Sequence, residues 1–398
     1  MSTATIIPDP AVEPLADGIH APAPRSVMSE SVRRRRDAYN LVPGAPFYRC
    51  EFWLMPGTIE RWKKEGFDDQ CDQDALFGFD KPGHFQLWNL GWCEAPFYPA
   101  FETKILEDRG ETEIEQDFAG RHVRYFKGRR VGFMPEYVDH PVKDMKTWCD
   151  NVKWRLDPQT PQRHLDAEYA AKQAIEAAGR GLIITEGLIG GYMYLRSLMG
   201  PEGALYNFVD QPELIHECMK TWLEVSDAII AHHQKFVTIE EIFFAEDICY
   251  KGGPLISPDM IREFLMPYYQ QLIANLKTRQ IDKNRHLWVQ VDTDGNCKPV
   301  IDLYQQGIGM DSMSPFEVAS GSDVVPIGRQ YPNLIMRGGI DKRILAKSKK
   351  DIDAMVESIF PVMRQRGGYI PCVDHGTPEE VSFENYLHFR KRCLELGG

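Results

Sequence analysis

The chain has no run of roughly eighteen apolar residues, the minimum for a membrane-spanning helix. It has no N-x-S/T sequon. Its nine cysteines form no CxxC pair, and their odd number argues against a disulfide framework. The expected state is reduced thiols in a cytoplasmic compartment. Positive charge is short: 46 Lys and Arg face 58 Asp and Glu, for a net charge of −12. That disfavours nucleic acid and anionic membrane surfaces as partners. The opening residues MSTATIIPDPAVEPLADGIHAPAPRSV lack a basic stretch followed by an apolar one, so no secretory signal is expected. P-loop, H-E-x-x-H and G-x-S-x-G motifs are missing, and Gly307-Ile-Gly309 precedes its strand, so it opens no dinucleotide turn.

What remains is an ordinary globular balance over 398 residues, with 43% hydrophobic and 26% charged. Residues 1–27 are rich in Pro and Ala without periodicity and read as a disordered arm. Ser29–Asn40 reads as a helix, and its run Arg33, Arg34, Arg35 and Arg36 reads as a solvated face rather than a phosphate grip. YRCEFWL, from Tyr48, has the pattern of a strand, with a helix over Thr58–Glu65. Residues 70–130 break the rhythm, because TKILEDRG, ETEIEQDFAG and RHVRYFKG suggest a small antiparallel meander.

From about residue 160, strands alternate with helices. The strands are GLIITEG, IEEIFFAED, RHLWVQVDTDG, IGMDSMSP, NLIMRGGID and GGYIPCVDHG. Short loops between them imply parallel strands with crossover helices. With VGFMPEY (131–137) as an eighth candidate strand, the expectation is an α/β fold: a (β/α)8 TIM barrel over residues 28–398, with an N-terminal arm and a small antiparallel β insertion at about 70–130.

Active groups of such a barrel lie at the C-terminal strand ends. Those ends carry Glu51, Glu186, Glu246 with Asp247, Asp292 with Asp294, Asp311 with Glu317, Asp341, and Asp374 with His375. A carboxylate there is ordinarily a helix cap, and Asp341 fits that reading. A crowd of them at one mouth needs a cation, protonation or basic partners. VDTDG and CVDHGTP stand out, the latter offering His375 and Cys372.

At these residues the chain resembles the uroporphyrinogen decarboxylase-like superfamily, which includes corrinoid-dependent methyltransferases. The likeness runs over about 180–390, through GLIGGYMYLRSLMG, EDICYKGGPLISPDMIREFLMPYYQQL, VDTDGNCKPVIDLYQQGIGMDSMSPFEVASGSDV, NLIMRGGIDKRIL and GGYIPCVDHGTPEEVSFENY. The arginine-rich N-terminal loop of the decarboxylase branch is replaced by FYRCEFWLMPG. Asp292 and Asp294 stand where the zinc-bearing branch has His and Cys.

The resemblance implies a methyl group moved from a small, O-methylated aromatic substrate to a separate corrinoid (cobalamin) protein. A harder, zinc-like divalent metal would activate the substrate oxygen. The implied ligands are Glu246, Asp292, Asp294, His375 and Cys372, with catalysis assigned to Glu246, Asp292, Asp294 and His375. Phe52, Trp53, Tyr192 and Tyr194 would wall the substrate. A decarboxylase acting on a small acid is the alternative, with Arg196, Arg337, Lys251 or Lys342 as its anchor; a non-catalytic scaffold is a third. A homodimer is left open.

Overall fold

The computed structural model describes residues 11–128, 135–164 and 167–398. Seven parallel strands form one curled sheet: β1 (His84–Trp88), β6 (Ile183–Ile189), β7 (Glu241–Ala245), β10 (Trp288–Asp292), β11 (Ser312–Ser314), β12 (Ile335–Arg337) and β13 (Tyr369–Ile370), neighbours in that order. Between β1 and β6 lies an antiparallel sheet of β2 (Lys104–Asp108), β3 (Thr112–Gln116), β4 (His122–Phe126) and β5 (Glu136–Asp139). A two-stranded ribbon, β8 (Cys249–Tyr250) and β9 (Gly253–Pro254), follows β7.

Period-two alternation divides each strand. Val289, Val291 and Phe244 face the surrounding helices, where Trp222 and Tyr269 cover Phe244. Ile183, Trp288, Ile335 and Ile370 face inward and pack with Tyr39. The residues two positions further along, Thr185, Gln290, Arg337 and Cys372, therefore line the lumen, which becomes polar above an apolar base.

Two expected strands differ. YRCEFWL lies beside the last strand as an extended segment, but only Leu54 forms a bridge, to Thr377. Elsewhere Arg49 N–H donates to the Asp80 side chain at 2.8 Å, the Arg49 carbonyl accepts from Asp80 N–H at 2.7 Å, and Phe52 N–H donates to the Glu51 side chain at 2.8 Å. No eighth ladder closes the sheet among the described residues. The seventh parallel strand is instead His84–Trp88, inside the stretch read as an insertion, so the added sheet begins after Trp88. Of VGFMPEY, residues 131–134 lie outside the described residues, and Glu136–Asp139 joins the antiparallel sheet.

The arginine helix is the larger correction. Glu30–Tyr39, capped by Ser29, lies across the N-terminal strand ends. Arg36 grips Glu240 through two bonds (3.0 and 2.9 Å) and the carbonyls of Gly181 and Leu182. Arg35 lies 3.8 Å from Glu241 and Arg34 2.8 Å from Asp80. The charges sit inward because strand starts supply buried carboxylates and open carbonyls to meet them. Residues 1–10 of the expected disordered arm lie outside the described residues, but Leu15 and Ile19 donate backbone bonds to Lys235 and Phe236. No described helix is long and apolar enough to cross a membrane.

Candidate active site

The mouth at the C-terminal strand ends is built from the segments that follow the parallel strands, with Phe52 and Trp53 added from the N-terminal extended segment. β10 ends at Asp292, whose side chain points inward and accepts a bond from the Ser314 hydroxyl of β11. Ser314 Oγ in turn accepts from Gln290 Nε2 at 3.1 Å. Burial pushes the Asp292 carboxyl up to about 6, against the pull of Ser314 and Arg337. Gly295, at φ 75°, turns the chain so that Asp294 comes back over the opening; a Cβ there would strike the Tyr250 backbone.

Asp294 Oδ2 lies 3.5 Å from His375 Nε2. Enclosure by the mouth, with Asp247, Asp292 and Glu317 around it, pushes Asp294 up to about 8, although 41% of its side chain still meets solvent. The shift moves Asp294 toward its protonated form, and its exposed part lets solvent resupply the proton. Burial and the Lys342 ammonium hold His375 below its ordinary value. Its ring lies between Phe52 and Trp53, each 5.9 Å away between centroids. Lys342 is occupied: it bonds Glu317 at 3.0 Å and lies 3.8 Å from Asp374. Across the mouth Arg196 pairs with Asp247 at 2.6 Å, and Asp247 holds a positive φ of 43°. The Tyr192 hydroxyl is buried and lacks a hydrogen-bond partner.

The structure therefore brings together Asp292, Asp294, His375 and Trp53, and separates them from three other expected residues. Glu246 follows the inward Ala245 and so points outward. It is fully buried, accepting from Tyr269 OH at 2.5 Å and Tyr192 N–H at 3.2 Å, and burial pushes it up to about 7. It braces the strand against its helix. Tyr194 is a core side chain near Cys218 and Arg163. Cys372 lies lower in the lumen, beside Cys50 and Arg337.

Glu186, in mid-strand, faces outward to His233 at 2.9 Å. Asp341 caps its helix by accepting from Arg343 N–H at 2.9 Å. Cys50, Ser314 and Gln290 were missed. Their only trace in the sequence is polar character at inward positions of otherwise apolar strands.

The metal expectation does not fit this arrangement. Among the described residues no three His, Cys, Asp or Glu side chains converge as ligands. Glu246 faces the helices, Cys372 is committed to Cys50, and Asp292 to Ser314.

The sequence profile described as uroporphyrinogen decarboxylase (URO-D) matches residues 142–396. The chain belongs to the uroporphyrinogen decarboxylase family. This family member is similar in fold to a methyltransferase from Methanosarcina mazei, at 15% identity and a TM-score of 0.55, over 92% of this chain and 98% of that one. It also aligns with a protein assigned as a vitamin-B12 independent methionine synthase from Listeria monocytogenes (13% identity, 56% of this chain and 65% of that one, TM-score 0.31). An endo-glycoceramidase II from Rhodococcus sp. aligns at 12% identity, over 60% and 69% of the two chains, with a TM-score of 0.29. The fold likeness rests on the first alone. No curated protein matches.

Proposed function

We propose that this family member is a methyltransferase that removes the methyl group of a small O-methylated aromatic compound and passes it to a separate corrinoid protein. The observation that carries this reading is Asp294, a carboxyl shifted toward its protonated form beside His375 and next to the aromatic faces of Phe52 and Trp53. Cleaving an aryl methyl ether leaves a phenolate-like oxygen, and a positioned acid that protonates it lowers the barrier. The O–CH3 bond breaks, the aryl oxygen takes the Asp294 proton, and the methyl group passes to the acceptor's nucleophile. Solvent at the mouth then reprotonates Asp294. Proton donation takes the place of the expected metal, for which the donors do not converge. The likeness to a methyltransferase fold agrees with this reading.

The test is phenol release from methoxylated aromatics in the presence of a reduced corrinoid protein. Asp294→Asn should lower kcat by about 100- to 10,000-fold with little change in KM. Full activity in that variant would remove Asp294 as the acid. Decarboxylation of a small acid is the second reading, and one observation favours it: Arg337, a cation on the lumen face whose buried Nε has no acceptor. Carbon dioxide release without any corrinoid would decide for it.

A further inference from the structure

A guanidinium enclosed by protein is ordinarily met by a carboxylate or by carbonyl oxygens, because leaving it unmet is costly. Arg337 breaks that pattern. Its Nε is buried without an acceptor, and its guanidinium forms no hydrogen bond or ion pair among the described residues. The Phe52 ring lies 5.3 Å from the guanidinium carbon, and Cys50, Cys372 and Asp292 are its electrostatic neighbours. Arg36, Arg279 and Arg121 each pair with a carboxylate, and Arg34 and Arg35, which also have an unpartnered Nε, still lie by Asp80 and Glu241; Arg337 has no such ion pair among the described residues.

Arg337 ends β12 two residues beyond Ile335, so it shares the lumen face. Two more donor-bearing side chains look into the same lumen from β1. His84 stands beside Ile183 and Gln86 beside Thr185 in the parallel register. Gln86 Nε2 and His84 Nδ1 are both buried and unpartnered. Gln86 shares the layer of Thr185 above the apolar base, and His84 lies one layer below it, so the orphaned groups face one lumen from two adjacent layers.

We infer that Arg337, assisted by the Gln86 amide, forms a subsite for the carboxylate of a monoanionic aromatic acid, whose ring lies along Phe52 toward Asp294 and His375. A guanidinium presents paired donors that match a carboxylate. Phe52 touches both ends: Arg337 at 5.3 Å and the His375 ring at 5.9 Å from its centre. The proposed ring would lie along Phe52, between the cation and the His375 imidazole. A monoanion suits the place better than a phosphate dianion, because one guanidinium supplies a single positive charge and Asp292 already lies within its field. The inference rests on the lumen being the substrate chamber and applies whichever bond is broken there.

The test is calorimetric binding of benzoate to the full chain at neutral pH, with benzamide and inorganic phosphate as comparison ligands. Benzoate should bind, benzamide and phosphate at least tenfold more weakly. Arg337→Gln should weaken benzoate at least tenfold, and Arg337→Lys should restore part of the loss. Because the variant removes an unpaired enclosed charge, the melting temperature of ligand-free Arg337→Gln should rise by a few degrees rather than fall.

Gln86→Ala provides an independent variant and should weaken benzoate severalfold. Equal benzoate affinity in wild type and Arg337→Gln would overturn the subsite. So would a slower alkylation of Cys50 as the only change, which would make the guanidinium a counter-ion for that thiol. Phosphate binding as tightly as benzoate would overturn the carboxylate assignment. Binding is read without turnover, so a failure of methyl transfer leaves this result standing, and the converse holds.

Discussion

Asp294 carries an energetic cost as well as a proton. In an unfolded chain its carboxyl would titrate near 3.8, and in the fold it is pushed up to about 8. Between those values the folded form holds a proton that the unfolded form has shed. Unfolding then releases a proton, so stability falls as pH climbs from about 4 toward 8. Asp292 and Asp374, both pushed up to about 6, act with the same sign over the lower part of that window.

Thermal melts of wild type and Asp294→Asn across pH 4–8 check this. The variant should gain a few degrees relative to wild type at pH 8, and the difference should shrink toward pH 4. A constant difference would mean that the carboxyl titrates normally in the fold. Such strained acids were partly legible: VDTDG placed both aspartates at the opening. Glu246 was misjudged because a strand end followed by Glu-Asp does not disclose which of two adjacent side chains faces inward. That depends on where the strand's alternation breaks, and the break is the positive φ of Asp247.

Among the elements, the helix Glu30–Tyr39 shows why charge patterning misleads. Four consecutive arginines occupy all sides of a helix, so the sequence contains no inward stripe. Their burial becomes readable only with Glu240, Glu241 and Asp80, far along the chain. Arg36 should be the most sensitive of the four. Arg36→Met strips Glu240 of a bidentate partner and leaves it to Arg285, at 2.6 Å. The expected cost is about 3 kcal/mol, checked by the urea midpoint at constant slope. Strand β1 went unread for a related reason. In HFQLW the polar members His84 and Gln86 face the polar lumen, so the alternation resembles that of a solvent-facing hairpin rather than a barrel stave. The six later strands were visible because their outward faces are strongly apolar.

For the whole molecule, the parallel sheet has a seam. Central strands β6, β7 and β10 have ladders on both sides, whereas Tyr48–Met55 is held by side chains and a bridge at Leu54. Local opening follows the weakest such region. Hydrogen exchange should show amides 48–55 exchanging well before those of Glu241–Ala245 and Trp288–Asp292. Equal protection would mean that the segment behaves as a full eighth strand in solution. The barrel-like plan was apparent from alternation alone, while the imperfect seam was not, since Tyr48–Leu54 has every local property of a strand.

The arginine helix also makes the central channel a blind tube. With Arg35, Tyr39 and Glu241 filling its floor, a small molecule bound in the channel under the proposed function would enter and leave at the C-terminal strand ends. A macromolecular acceptor would have to stand at that end while the small molecule is already inside. If the proposed methyl transfer holds, that shape orders the events: the small molecule would enter first, the acceptor would dock second, and the product would wait until the acceptor had moved away.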